Sequence, residues 1–201
     1  MDLGARNRQQ RAVPELLCAT REQCHRRRLL QPGGRKDSMA EQFELTDEMK
    51  AAIGAESEPW TYEVTTTSVR AFARGVGYTD PVYYDIEAAR AAGYRGLPAP
   101  PTYLGTPVFI PGRCHDWFSG PVEGQPKINH GLSRVLDGGT ETEYFETICA
   151  GDTLTAVLRI AGLDVRESKA IGKMLIVTTE TTYTNQDGKV AAVQRSQVIY
   201  Y

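Results

Sequence analysis

GVGYTDPVYYDIEAARAAGYRGLPAPPTYLGTPVF, residues 75–109, is the stretch that decides the fold of this sequence. It opens at the end of a predicted helix, where Gly77 is a typical helix stop. An Ala-rich helical run, Asp85–Ala92, follows and ends at another glycine. From Pro101 to Phe109 the residues are apolar on almost every side, and the leading proline suits a first helical turn, where its missing N–H is not needed. Because a helix that is apolar all round lies inside a domain, this segment predicts a buried central helix.

Upstream of this stretch, the pattern predicts a short helix, a strand and a longer helix. Residues 46–53 have Thr46 as a typical N-cap and acidic residues in the first turn. Residues 60–66 are β-branched and aromatic, which favours a strand. Thr67 is the predicted cap of the longer helix, whose apolar residues recur at i, i+3, i+4 and i+7: Val69, Phe72, Ala73 and Val76.

Downstream, the sequence predicts a long loop and then only strands. Residues 112–131 show no helical or strand pattern, and a loop of that length is usually functional or mobile. Four alternating β-branched runs follow, separated by turn signals, and predict a four-strand antiparallel meander: Thr140–Thr147, Thr153–Val165, Lys173–Thr184 and Val190–Tyr201. One early strand, a buried helix and a run of antiparallel strands describe an α+β domain in which a curved sheet wraps one helix.

The composition excludes several classes of protein. With 201 residues, of which 41% are hydrophobic, the chain is long enough for one packed core. A net charge of −2 provides no basic field for phosphate backbones, so we expect no nucleic-acid partner. No run approaches the roughly 20 apolar residues that cross a bilayer, so we expect a cytoplasmic protein without membrane contact. The four cysteines show no CxxC pair and no zinc-site spacing, which predicts free thiols, no metal and no cofactor: Cys18, Cys24, Cys114 and Cys149.

Charge divides the chain into a basic leader and an acidic body. Residues 1–38 hold nine Lys and Arg against four acids, lack a sustained apolar period and predict disorder. Met39 opens a segment that resembles a fresh start, so translation from Met39 is one hypothesis and a transit peptide is the alternative.

The mass of the native protein distinguishes these two hypotheses. A mature N-terminus at Met39 or Ala40 is the outcome expected for a start at Met39. A terminus inside the last part of the leader is expected for a cleaved targeting segment.

Residues 75–109 closely resemble the N-terminal-type domain of MaoC-like dehydratases, also described as the fatty-acid-synthase-type dehydratase region. The resemblance continues at Asn129-His130-Gly131, which is similar to the family's His-Gly element, and at Ala150–Leu154, which is similar to its Gly-Asp turn. It covers roughly residues 41–201 and leaves the leader outside. The resemblance implies a single hot-dog fold.

The resemblance also implies that the catalytic pair is missing. Catalytic members carry Gly-Asp-x-Asn-Pro-x-His, in which the Asp and His activate water or protonate the leaving hydroxyl. Here the aligned residues are Gly77-Tyr78-Thr79-Asp80-Pro81-Val82-Tyr83, so Tyr78 stands for the Asp and Tyr83 for the His. A phenol with an ordinary pKa of about 10 is a poor base near neutral pH.

A third difference concerns the backbone N–H that polarises the thioester carbonyl in catalytic members. The equivalent stretch is Ala99-Pro100-Pro101-Thr102, and proline has no N–H to donate. In this family a degenerate hot-dog unit pairs with a catalytic one. The resemblance therefore implies a separate catalytic MaoC-like partner, in a heterodimer or heterotetramer, with an acyl-CoA or acyl-carrier thioester as substrate. Hot-dog units generally pair edge to edge, so an isolated monomer would leave strand edges open to aggregation.

No residue stands out as catalytic, although Asp80 and His130 are retained as alternative bases. Asp80 precedes a proline and is expected to form a turn, and His130 is expected to be a hydrogen-bonded loop residue. Arg95 is a further candidate, for a coenzyme A phosphate or an acidic carrier protein. Residues expected to line the acyl pocket, several of them with a packing role as well, are Tyr83, Tyr84, Pro100, Thr102, Tyr103, Gly105 and Thr106.

Three functions follow from these observations. The first is a non-catalytic subunit of a heteromeric (R)-specific enoyl-thioester hydratase or 3-hydroxyacyl-thioester dehydratase. The second is a homodimeric module that binds acyl-CoA without catalysis. The third is a self-sufficient enzyme, either a hydratase with His130 as a relocated base or a thioesterase. The thioesterase is disfavoured because residues 99–109 contain no Asp or Glu.

Overall fold

A five-stranded antiparallel sheet is the main element of the structure, a computed structural model that describes residues 43–105 and 126–201. The remaining residues include the leader, Thr106 and most of the long loop, so the predictions made for them lie outside the described residues. The sheet has the order β1-β3-β4-β5-β2. Its strands are β1 (Trp60–Glu63), β2 (Val135–Tyr144), β3 (Thr153–Ser168), β4 (Gly172–Thr184) and β5 (Val190–Tyr200).

Among residues 43–105, three short helices precede β2, and each begins at a side-chain cap. They are α1 (Asp47–Ala51), α2 (Thr66–Val76) and α3 (Ile86–Ala91). The predicted cap of α1 is confirmed, since Thr46 Oγ1 accepts a hydrogen bond from the backbone N–H of Met49 at 3.2 Å. Within the described ranges, none of the helices has the length and apolarity required to cross a membrane.

The cap predicted for α2 at Thr67 is wrong, because the helix begins two residues earlier. Thr65 Oγ1 accepts from the backbone N–H of Ser68 at 3.0 Å, and Ser68 Oγ accepts from the backbone N–H of Thr65 at 3.0 Å. This reciprocal capping box satisfies two backbone donors at once. Thr67 therefore lies inside the helix.

The predicted four-strand meander is correct for β3, β4 and β5 but wrong for β2. β2 pairs with β5 at the far edge of the sheet instead of pairing with β3. The reason lies in the connection, where Ile148–Ala150 bonds to Leu97–Ala99: the backbone N–H of Ala99 donates to Ile148 O, and that of Ala150 donates to Leu97 O, both at 2.8 Å. Because the connection is bound to this earlier segment, it crosses the end of the sheet and does not form a hairpin.

A β-bulge explains why β2 begins at Val135, five residues before the start that the sequence predicts. The register against β5 shifts between Asp137 and Gly139. Gly139 has a φ of 107°, and a Cβ on Gly138 would lie 2.9 Å from Cβ of Gln197 and 3.0 Å from its carbonyl oxygen. Two glycines, which usually end a strand, here allow it to continue through the bulge.

Two apolar clusters lie along the helix-facing side of the sheet. The first cluster surrounds Tyr103, Leu154 and Tyr183, and the second surrounds Phe43, Ile160 and Leu175. Tyr183 pairs with Ala192 and Leu175 pairs with Tyr200, so about eight residues, or roughly 26 Å of strand, separate the two pairs. Between the clusters the same face carries hydroxyl and amide groups, of which Thr140–Ser196 and Thr142–Gln194 are hydrogen-bonded across β2 and β5 at 3.1 Å.

The opposite face of the sheet carries a row of alternating charges across four strands. Glu180 on β4 accepts from Arg159 on β3 at 2.7 Å and from Arg195 on β5 at 2.8 Å. Arg195 also lies 3.9 Å from Glu143 on β2. Hydrogen bonds from Arg159 and Arg195 lower the pKa of Glu180 against the opposing effect of its burial. The row pairs opposite charges on neighbouring strands, which stabilises the sheet.

Gly138→Ala is expected to lower the free energy of unfolding by about 1–3 kcal/mol, because the added Cβ meets the backbone of Gln197 and must displace it. Gly162→Ala is the matched control, since it also lies at a bulge and its Cβ would have no atom within 4 Å. Urea unfolding of both variants measures the difference. Equal stability of the two variants would contradict the close packing of the β2 bulge.

Candidate functional site

Tyr78 and Tyr83 stack on each other in the turn that follows α2. Gly77, with a φ of 82°, adopts the left-handed conformation that ends the helix, as predicted. The two rings have centroids 5.6 Å apart and planes inclined by 25°. At the two positions where the resemblance implies Asp and His, the structure therefore has a stacked aromatic pair.

Burial and local charge keep the Tyr83 phenol protonated. Burial raises the pKa of Tyr83 above its ordinary value of 10.0, and the negative charge of Asp80 and the phenols of Tyr78 and Tyr94 raise it further. A group with a pKa above 10 has almost no basic form near neutral pH. Tyr83 therefore does not replace the general base of the family's motif.

Asp80 forms the turn that positions these tyrosines. One of its carboxylate oxygens accepts a hydrogen bond from the backbone N–H of Val82 at 3.0 Å and caps the 3-10 turn Pro81–Tyr83. The side chain is exposed, and this local bond is typical of an Asp that precedes a proline. Its position agrees with the turn-forming role expected from the sequence.

Arg70, which the sequence analysis did not single out, anchors the same turn to α2. Its Nε and Nη2 donate to the carbonyl oxygen of Tyr84 at 3.0 Å and 2.7 Å. The Tyr84 hydroxyl donates to the carbonyl oxygen of Tyr78 at 2.5 Å. Arg70 lies on α2, 14 residues before Tyr84, so periodicity alone gives no signal for this contact. Tyr84 therefore has a structural role beside its predicted place in the pocket.

Tyr103 belongs to the first cluster and lies beneath α2, and Pro100 precedes it by three residues. Both side chains are fully buried. The Tyr103 hydroxyl lies 2.6 Å from Ser68 Oγ, and its ring meets that of Phe72 edge to face at 5.6 Å. Ser68 thus both caps the helix and binds Tyr103. These two predicted pocket residues support the site from the core.

Thr102 is exposed, as is Pro101 before it, and it differs from its neighbours in its left-handed backbone. Its φ of 67° is unusual for a residue with a side chain. A left-handed residue interrupts an α-helix, so helical geometry begins at Tyr103, in the 3-10 turn Tyr103–Gly105, and not at Pro101. Residues 106–109 of the predicted central helix lie outside the described residues. Unlike the two prolines before it, Thr102 has a backbone N–H.

His130 lies beside the second cluster. Its ring packs on Tyr200 with centroids 4.1 Å apart, and its Nδ1 accepts from the backbone N–H of Leu132 at 3.0 Å. Burial lowers the pKa of His130 below its ordinary value of 6.5, so the ring is neutral at pH 7. Since Nδ1 accepts, the proton of the neutral ring is on Nε2. Neither nitrogen is then free to remove a proton.

Arg95 is bound to a buried carboxylate. Its guanidinium makes a bidentate ion pair with Asp152, which also accepts from the backbone N–H of Cys149 at 2.8 Å and from Nε2 of Gln186 at 3.2 Å. Burial raises the pKa of Asp152, but the hydrogen bonds from Arg95, Cys149 and Gln186 outweigh it and lower the pKa below 3.8. Asp152, which belongs to the turn that is similar to the family's Gly-Asp turn, therefore anchors Arg95.

The model of the family described as the FAS1-like dehydratase domain region matches residues 51–194. The chain belongs to this dehydratase-region family. A UPF0336 protein of Leifsonia xyli subsp. xyli is 31% identical over 140 residues, which cover 69% of this chain and 86% of the relative. A UPF0336 protein of Streptomyces griseus is 36% identical over 110 residues, which cover 52% of this chain and 69% of the relative.

Several solved structures, one of them described as a MaoC-like dehydratase, share the fold of this dehydratase-region chain. The C-terminally truncated HadBC (3R-hydroxyacyl-ACP dehydratase) complex of Mycobacterium tuberculosis matches 74% of this chain and 96% of its own, with a TM-score of 0.54 and 22% identity. The ChsH1-ChsH2 complex of the same organism matches 77% of this chain and 87% of its own, with a TM-score of 0.58 and 18% identity. The predicted single α+β hot-dog fold is confirmed.

Arg95→Met is expected to lower the free energy of unfolding by about 2 kcal/mol, less than for a fully buried pair because Arg95 is half-exposed. Arg90→Met is the matched control, since it removes only an exposed pair with Glu87 worth about 0.5 kcal/mol or less. Thermal unfolding of both variants near pH 7 provides the measurement. An equal loss in both would contradict the anchoring role of Asp152.

The lowered pKa of Asp152 also predicts how stability depends on pH. Because the folded pKa lies below the unfolded value, the carboxylate contributes stability above that value and loses it as the pH falls through the folded pKa. The stability advantage of the wild type over Asp152→Asn should therefore shrink between about pH 5 and pH 2. If the free energies of unfolding of the two proteins changed in parallel with pH, the lowered pKa of Asp152 would be contradicted.

Proposed function

We propose that this chain is the non-catalytic subunit of a heteromeric (R)-specific enoyl-thioester hydratase or 3-hydroxyacyl-thioester dehydratase. The observation that carries the proposal is the stacked Tyr78–Tyr83 pair at the two positions of the catalytic Asp and His. Water addition to an enoyl thioester requires a group that takes a proton and a group that gives one. A phenol with a raised pKa does not provide the base.

The two alternative bases do not form a pair that could replace the missing one. Asp80 caps a turn that α2 anchors, and α2 packs in the first cluster through Val69. His130 packs on Tyr200 beside the second cluster, at the other end of the long strands. A general acid and base must both lie within hydrogen-bond reach of one substrate. Because Asp80 caps a turn and the Nδ1 of His130 accepts from Leu132 N–H, these local bonds support a catalytic Asp and His on another chain.

The partner in this proposal is a catalytic MaoC-like hot-dog protein, in a heterodimer or heterotetramer. Two solved structures with this fold are described as complexes, HadBC and ChsH1-ChsH2, which supports a heteromeric arrangement here. The substrate is an acyl-CoA or an acyl-carrier thioester. This subunit stabilises the dimer and shapes the acyl pocket, with exposed Thr102 nearest to the substrate and buried Pro100 and Tyr103 fixing its position.

Hydration of a medium-chain trans-2-enoyl-CoA tests the proposal. The purified chain is expected to give no rate above the uncatalysed reaction, and addition of a MaoC-like protein encoded beside it is expected to give activity in a mixed complex. Replacing the partner's Asp or His should lower that rate by about 100-fold or more. His130→Ala in this chain serves as the control and should change it less than about twofold, since this residue is not assigned to the chemistry.

Two outcomes would reject the proposal. Activity of the isolated chain that disappears in His130→Ala would make it a self-sufficient hydratase with a relocated base. Tight binding of acyl-CoA by a homodimer, without activity beside any MaoC-like protein, would make it a binding module. Light scattering on the same samples reports the assembly state in each case.

A further inference from the structure

Three tyrosines gather on the outside of the turn between α2 and α3. Tyr78 and Tyr83 form the stacked pair, and the 3-10 turn that contains Tyr83 packs against both helices. Tyr94, which follows α3, is close enough to raise the pKa of Tyr83. Tyr78 and Tyr94 are 38% and 36% exposed. These three residues are called the tyrosine surface.

The charge beside the tyrosine surface is negative. Asp80 lies in the same turn and is exposed. Its Oδ1 accepts from the backbone N–H of Val82, and no residue of the described ranges donates to its Oδ2. Arg70, which anchors the turn, donates to the carbonyl oxygen of Tyr84, and no cation in residues 43–105 and 126–201 lowers the pKa of Tyr83. The turn therefore combines a carboxylate with exposed aromatic rings and leaves this charge without a cation among the described residues.

This combination favours an organic cation as ligand. The face of an aromatic ring carries partial negative charge and attracts a cation that lies over it, and a nearby carboxylate adds to the attraction. Val76 and Ile86, at the two helix ends that flank the turn, are 49% and 36% exposed, so a cation with apolar substituents has further surface to contact. An alkylated ammonium group provides the charge and the apolar substituents, and when it is fully alkylated it has no N–H that requires an acceptor.

We propose that the tyrosine surface binds an organic cation with an alkylated ammonium group, through the ring faces of Tyr78 and Tyr94 and the carboxylate of Asp80. Tyr83 is only partly exposed and holds the ring of Tyr78 by stacking. The site goes beyond the proposed function, because it gives the positions of the missing catalytic pair a ligand of a different chemical class. The cation contacts only this chain, so the inference does not depend on a catalytic partner.

Two probes of nearly the same shape test the site on the full chain. One is choline, which carries a trimethylammonium group, and the other is its neutral analogue, in which carbon replaces the nitrogen. The equivalent methyl protons of each probe give one NMR line, and saturation transfer from the protein to this line, measured against probe concentration, gives the dissociation constant. Choline should bind about two- to fivefold more tightly than the neutral analogue at low ionic strength, and about 0.5 M sodium chloride should reduce the difference.

Substitutions at the tyrosine surface separate ring faces from apolar area. Tyr78→Leu/Tyr94→Leu keeps apolar area but removes two rings, and it should raise the dissociation constant of choline about fivefold or more. Tyr78→Phe/Tyr94→Phe keeps the ring faces and should change it less than about twofold. Asp80→Asn retains an oxygen that can cap Val82 and should raise it about two- to fivefold. Phe145→Leu removes an exposed ring outside the tyrosine surface, and as the matched control it should have no effect.

Three results would overturn the inference. The first is equal binding of choline and its neutral analogue, which would leave only an apolar surface. The second is binding of choline by both double variants as tightly as by the wild type. The third is tighter binding of ethylguanidinium than of choline, which would assign the surface to an arginine side chain of another protein. Because binding to the isolated chain is measured, and not activity, its failure is distinct from failure of the proposed catalytic role.

Discussion

The ion pair between Arg95 and Asp152 lies where three separate parts of the chain meet. Asp152 directly precedes β3, Arg95 leads into the segment before Tyr103, and Gln186 comes from the turn between β4 and β5. Satisfying a buried carboxylate requires all of these donors together, because an unpaired buried charge is strongly unfavourable. The tight approach of Gly96 to Ala150, where a Cβ would lie 3.0 Å from the carbonyl oxygen, belongs to the same junction. The connection from β2 consequently crosses the end of the sheet, and Tyr103 is held beneath α2.

Much of the fold follows from local patterns in the sequence. The caps, the glycine stops and the alternation of β3, β4 and β5 are properties of neighbouring residues, and each was predicted within a few positions. The place of β2 in the sheet was not predicted. It depends on hydrogen bonds between Leu97–Ala99 and Ile148–Ala150, which lie about 50 residues apart, and periodicity does not encode such bonds. The Gly138–Gly139 bulge was missed for a related reason. Two glycines usually signal a turn. Only the pairing with β5 shows that these two allow the strand to continue.

The sequence predicted which residues occupy the candidate site but not the contacts that these residues make. The sequence was sufficient to place Tyr78 and Tyr83 at the dyad positions, since that comparison needs only a motif. Their stacking, the Arg70 contact with Tyr84 and the pairing of Ser68 with Tyr103 depend on how α2 packs over the first cluster. Arg95 was considered as a ligand for phosphate, whereas its guanidinium is bound by Asp152. A motif identifies which groups are present, and packing determines which of them remain available.

The position of β2 also has a consequence for the order of folding. β3, β4 and β5 are joined by short turns, so their pairing closes small loops and is expected to form early. β2 instead pairs with β5, Tyr144 opposite Ala192, and must close a loop of roughly 50 residues first, which carries a larger entropic cost. β2 therefore joins the sheet after the β3–β4 and β4–β5 hairpins, and β1, whose Glu63 pairs with Thr153, closes a still longer loop of about 90 residues. Both edge strands of the sheet are thus expected to be added to a core of three strands that has already formed.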